Sequence, residues 1–173
     1  MTHSHPALFL LRNLLSLPRL LFTLRSAPCF PLTDNLLNFD HLVRRAAESV
    51  CNVVFDTVGW DQATLPVRFG GIGLRSATDL ALTAYASSVH ASQQLSNEIL
   101  QNLPEFSLDS VVSATEAAWQ NAGLEVPETK NRQRSWYLPL CLAKISTSKA
   151  DLDQYRLACL EASSQPHSAV VHG

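Results

Sequence analysis

The sequence predicts an all-α fold, a bundle of about six or seven helices with one glycine-rich interhelical loop. Three observations carry this. Apolar residues recur at helical spacing along most of the chain. Prolines and capping residues punctuate those runs. Glycines cluster at one place only, Gly70, Gly71 and Gly73. With 173 residues, 46% of them apolar, the chain is long enough to bury a core as one domain, or one domain with a small appendage.

The elements follow in chain order. Residues 7–16 and 19–26 read as two helices, or as one helix kinked at Pro18. They are expected to pair as buried amphipathic helices. Arg12 and Arg19 interrupt the apolar run and no basic region precedes it, so neither a signal peptide nor a membrane anchor is expected. Pro28 and Pro31 close this part, and Thr33 is a plausible N-cap for a helix to about Phe55. Leu36, Val43 and Val50 repeat every seven residues, with Phe39, Ala46 and Val53 at the companion position. Arg44 and Arg45 fall off that stripe, toward water.

Helical periodicity then stops at Trp60–Gly73, read as a joint in which Pro66 forces Leu65 into an extended conformation. Ser76, with Asp79 three residues on, opens a helix to about Gln101. Ala81, Ala84, Ala86, Ser87 and Ser88 keep its middle slim, so a neighbour can approach closely. Pro104 separates it from a helix over about Leu108–Ala122, which Gly123 ends. Residues 124–134 read as an exposed loop, residues 136–146 as a helix, and Ser148 as the cap of a last helix to about Ser163.

Charge is unevenly spread. Residues 1–75 hold seven Arg against five acids, residues 76–129 hold seven acids and no Lys or Arg, and residues 130–173 hold six basic residues against three acids. An anionic partner should therefore touch the ends and avoid the middle. Cys29, Cys51, Cys141 and Cys159 form no Cys-x-x-Cys pair, which points to reduced, mostly buried thiols in an intracellular protein, nuclear or cytoplasmic.

No assembled enzyme site is visible. The six histidines have no ligand spacing, paired carboxylates are missing, and no Gly-x-Ser-x-Gly occurs, so no catalytic residue, metal site or cofactor is expected. Gly71-Ile72-Gly73 before a helix start could cradle a phosphate, but no Gly-Lys-Ser/Thr follows and Ser76 stands where a dinucleotide fingerprint has its third glycine. A tight helix-to-helix turn is the stronger reading. Arginine outnumbers lysine ten to three, and its planar fork suits phosphate. Solvated helix faces and a phosphate-tracking stripe account for these arginines equally well.

Four blocks carry a resemblance. They are Leu11-Arg12-Asn13 to Pro18 with Leu24-Arg25-Ser26-Ala27-Pro28-Cys29-Phe30; Phe39-Asp40 with Cys51-Asn52-Val53; Trp60 to Arg75 with Ala84-Tyr85-Ala86-Ser87-Ser88; and Gln133-Arg134-Ser135-Trp136 with Arg156-Leu157-Ala158 and Ser163 to Ser168. In this order they resemble the segment C-terminal to the polymerase palm in reverse transcriptases of non-LTR (LINE-like) retrotransposons. The third block is the most specific. The resemblance implies a thumb-like region over residues 1–103, with its joint at 60–75, connector helices over 104–164 and a frayed 165–173. It implies contact with an RNA–DNA or DNA duplex through Arg12, Arg19, Arg25, Arg68 and Arg75, around a structural loop of Gly70, Gly71 and Gly73. The family's Ala-Asp-Asp type box is missing, as are the fingers, the palm and the downstream Cys/His-rich segment. The expectation is therefore a fragment without polymerase activity of its own. The competing expectation is a non-enzymatic interaction or scaffold domain that self-associates through its apolar N-terminal helices, with no membrane contact.

Overall fold

The computed structural model describes residues 4–100, 108–151 and 154–165. It is 77% helical, with no strand among the described residues, so the all-α class holds. In order the α-helices are α1 (Ser4–Leu10), α2 (Leu21–Ser26), α3 (Thr33–Cys51), α4 (Thr57–Thr64), α5 (Ala77–Leu100), α6 (Asp109–Asn121), α7 (Gln133–Asp151) and α8 (Gln154–Ser164). The described residues fall into two compact units. The first comprises the described residues of 4–20, 34–77 and 141–165, and the second those of 21–33 and 78–140. The expected boundary near residue 103, Pro104 and most of the expected frayed tail lie outside the described residues.

In the first unit, α1 runs on into a π-turn over Leu11–Leu15, and Pro18 sits in a 3-10 turn over Leu17–Arg19. The helix is therefore broken between Arg12 and Arg19, at the place where a kink at Pro18 was expected. The expected burial of this segment is only partial. Leu11 and Leu17 are buried, while Phe9 (63% exposed), Leu10, Leu14 and Leu15 face outward.

The core of this unit gathers Leu11, Val43, Ala47 and Leu74, with Phe39, Phe55, Trp60 and Ile72 packed against them. On α3 the buried positions are Leu36, Asp40, Val43 and Ala47, so the seven-residue spacing of Leu36 and Val43 holds, while the buried companion row falls on Asp40 and Ala47, with the expected Phe39 and Ala46 only half-buried. Val53, expected on the stripe, is exposed and lies beyond the helix. The helix ends earlier than Phe55 because Asn52 turns left-handed (φ 52°) and the Val53 N–H reaches back to the Glu48 carbonyl at 3.1 Å. Arg44 does not simply face water. It is half-buried, pairs with Glu48 at 3.2 Å and donates to the Phe55 carbonyl. Arg45 is exposed as expected.

The joint is partly helical, which corrects the expectation that helix stops over Trp60–Gly73. Asp56 caps α4, its Oδ1 accepting the Gly59 N–H at 2.6 Å, and Phe55 packs on Trp60 at 5.9 Å as a hydrophobic staple across the cap. Arg156 donates to the other carboxylate oxygen at 2.8 Å, and this bond, followed by the Gly59 N–H, holds the Asp56 pKa below the usual carboxylate value. Leu65 is extended before Pro66, as expected.

In the second unit, Ala86, Trp119 and Trp136 form a buried cluster with Leu82, Leu124, Val126 and Leu140 around it. The two indoles meet edge-to-face, centroids 5.1 Å apart, and the small Ala86 leaves room for them. α6 matches its expected span, and Gly123 ends it with φ 76°.

Residues 124–132 form the expected loop, and side chains of the flanking helices tether it. Trp119 Nε1 donates to the Glu125 carbonyl at 2.9 Å, Trp136 Nε1 to the Lys130 carbonyl at 2.6 Å, and Lys130 Nζ reaches Glu116 at 2.7 Å. The last part of the expected 124–134 span, from Gln133, is already α7. Ser148 does not cap a last helix. It is buried inside α7, and α8 starts at Gln154. All four thiols are free, but only Cys141 is buried and Cys159 is exposed.

Candidate nucleic-acid interface

The glycine loop owes its shape to three different constraints. Gly70 and Gly73 take φ 78° and 77°, in the left-handed region that side chains avoid. Gly71 is needed for space: an added Cβ would lie 2.6 Å from the Gln62 carbonyl oxygen and closer still to that of Leu65. The chain doubles back tightly enough for four N–H groups to bond inward. Gly70 donates to Val67 at 3.0 Å, Gly71 to Pro66 at 3.3 Å, Gly73 to Leu65 at 3.0 Å and Leu74 to Ala63 at 3.2 Å. Gln62 Nε2 adds a bond to the Gly70 carbonyl at 3.1 Å. With these amides committed, the loop is a rigid turn and not an amide nest for phosphate. Any anion must be met by side chains.

Arginines surround that turn. Arg12 lies along Gly73, its Nε and Cζ 3.1 and 3.2 Å from where a Cβ would sit, and its Nη1 is 3.5 Å from the Ile72 carbonyl. The missing side chain at Gly73 is what admits it. Arg68 Cζ sits 4.7 Å from the Phe69 ring centroid in a cation–π contact. Both guanidinium groups are thus pre-positioned yet exposed, and Arg75 at the end of the loop is exposed too. Among the described residues, no carboxylate pairs with Arg12, Arg19 or Arg68. By contrast Arg44, Lys144, Lys149 and Arg156 of the same unit are paired with Glu48, Asp61, Glu161 and Asp56.

Of the sequence-predicted residues, Arg12, Arg68, Arg75 and the three glycines come together at this turn, and Arg19 belongs to the same unit. Arg25 belongs to the second unit, where it donates to Gln133 at 2.8 Å. No family model, no curated protein and no solved structure matches the chain.

Two buried polar groups escaped the sequence reading. Asp40 accepts the Ser76 hydroxyl at 2.6 Å and the Ala77 N–H at 2.6 Å, tying α3 to the exit of the glycine turn. His90 stacks on Trp136 at 5.5 Å with its side chain 5% exposed. Its Nε2 lies 3.3 Å from Glu116 but without hydrogen-bond geometry, so it counts as close and unsatisfied. Burial lowers its pKa, Glu116 opposes this, and Lys130 adds to the lowering.

A shallow cleft of about 280 Å³ is lined by Val54, Phe55, Asp56, Gln62, Arg156 and Cys159. Its two charges already satisfy each other. Among the described residues, no three His, Cys, Asp or Glu side chains could hold a metal ion.

Proposed function

We propose that this chain is the thumb-and-connector part of a non-LTR retrotransposon reverse transcriptase, without the catalytic box. Its task in this reading is sequence-independent contact with a template–primer duplex, RNA–DNA or DNA. The observation that carries the duplex contact is the pair Arg12 and Arg68, exposed at one rigid turn and without a carboxylate partner among the described residues. A surface ion pair would have to be broken before phosphate could be bound. These guanidinium groups need no such exchange, and their packing on Gly73 and Phe69 reduces the entropy lost on binding.

Fluorescence anisotropy of a labelled RNA–DNA hybrid over a salt titration tests this. With three phosphate contacts, log K should fall against log salt with a slope of about −2.7, so affinity drops about twentyfold for a threefold rise in salt. Arg12→Ala and Arg68→Ala should each reduce the slope by about 1 without altering sequence preference. Absence of binding at low salt refutes the duplex contact, as does a slope that ignores both substitutions.

A further inference from the structure

The segment from α1 to the 3-10 turn carries a second feature that duplex binding does not use. Phe9, Leu10, Leu14 and Leu15 are 63%, 45%, 55% and 56% exposed within sixteen residues of the N-terminus. Residues 4–33 contain no Asp or Glu, and the same short segment carries the exposed Arg12 and Arg19. The surface is therefore apolar and cationic together.

We infer that this ridge lies on the surface of an anionic lipid bilayer, with Phe9, Leu10, Leu14 and Leu15 in the acyl boundary and the arginines among the headgroup phosphates. Each alternative occupant fails to match one half of the surface. A nucleic-acid duplex offers phosphates but no apolar face for four large side chains. A second copy docked ridge to ridge would set Arg12 and Arg19 against like charges, with no acid in the segment to neutralise them. An anionic bilayer supplies both the apolar layer and the charge.

The same segment lies on a bilayer and does not cross it. His5–Ser26 is long and apolar enough by length and composition to span one. It is not one straight helix, since α-helical, π and 3-10 turns succeed one another over Ser4–Arg19. Leu11, Ser16 and Leu17 are buried within the protein at 8%, 1% and 4% exposure. Spanning would pull Leu11 out of the core it shares with Val43, Ala47 and Leu74. Lying flat leaves those anchors in place, since the exposed Phe9, Leu10, Leu14 and Leu15 are not part of that core.

Vesicle co-sedimentation of the full chain is the test, using phosphatidylcholine alone and phosphatidylcholine containing about a third phosphatidylserine. Binding to the anionic vesicles, weaker binding to the neutral ones, and release by alkaline carbonate are expected. The double substitution Phe9→Ser/Leu14→Ser should weaken vesicle binding at least tenfold. Both sites are exposed, so its circular dichroism and its affinity for the RNA–DNA hybrid should be unchanged, which separates this proposal from the duplex reading. The proposal is overturned by no binding to anionic vesicles, by binding that the double substitution leaves intact, or by retention after the carbonate wash. A change of oligomeric state in the double variant without vesicle binding would assign the ridge to a second copy and overturn it equally.

Discussion

Gly71→Ala should be among the most damaging single-methyl additions in this protein. The new Cβ would sit 2.6 Å from the Gln62 carbonyl oxygen and nearer still to that of Leu65. Both obstacles are backbone, so no rotamer change relieves them. The turn must open instead, at the expense of the Gly73-to-Leu65 and Leu74-to-Ala63 hydrogen bonds of 3.0 and 3.2 Å. Overpacking costs about 1–3 kcal/mol and each lost buried bond about 1 kcal/mol, for a total of about 3 kcal/mol or more. In a protein of this length that corresponds to a fall in Tm of about 6–12 °C. Gly123→Ala is the control. Its φ of 76° disfavours a side chain, but nothing lies within 4 Å of the added atom. Strain alone costs about 1 kcal/mol, or about 2–4 °C. Thermal melts followed by far-UV circular dichroism decide the matter. If Gly71→Ala melts within about 2 °C of the parent, or if Gly123→Ala loses more, the steric account of the turn is wrong.

Other substitutions probe the groups that hold each unit together. Asp40→Ala leaves the Ser76 hydroxyl and the Ala77 N–H without their buried acceptor, and urea titration should show a loss of about 2–3 kcal/mol. His90 gives a pH signature. Its folded pKa is lowered from 6.5, so the unfolded chain takes up the proton first, and the stability present above pH 6.5 is lost as pH falls through that value toward the folded pKa. Tm measured from pH 7.5 down to 5.5 should decline, and His90→Gln should flatten the decline; an unchanged slope contradicts the assignment. Trp119→Ala should cost about 3–5 kcal/mol by urea titration, since it empties the cluster shared with Trp136 and frees the Glu125 carbonyl.

Much of the fold was legible because helical periodicity and punctuation agree. The end of α6 at Gly123, the extended Leu65 before Pro66 and the small-residue middle of α5 all follow from local chemistry. α4 was harder to see. It is eight residues long, contains Gly59 and sits beside the glycine cluster, so its apolar pattern is too short to register. Its signal was the cap: Asp56, with Phe55 before it and Trp60 four residues into the helix. Asp40 was overlooked because an acid reads as surface, although it lies four residues after Leu36 and three before Val43 on the buried stripe. The tethering of the 124–132 loop was missed for a different reason. Its polar composition is that of a loop, and its fixity comes from indole N–H bonds made by helices on either side.

The candidate site was only half legible. Arginine enrichment and the glycine cluster are plain in the sequence, but only the fold shows that Arg12, distant in sequence, lies on Gly73. The N-terminal apolar helices supported two sequence expectations, a buried pair and a self-associating surface, since exposed and buried apolar runs read alike; only the fold shows which residues, Phe9, Leu10, Leu14 and Leu15, are exposed.

The measurement that tests the central claim most directly is amide hydrogen exchange of the full chain with and without a short RNA–DNA hybrid at low salt. The account predicts slowed exchange centred on Arg12, Arg19 and residues 65–75, and not on Phe9, Leu10, Leu14 or Leu15, reversed by added salt. Slowing centred on the acidic stretch of α5 and α6, or no change anywhere, would contradict it.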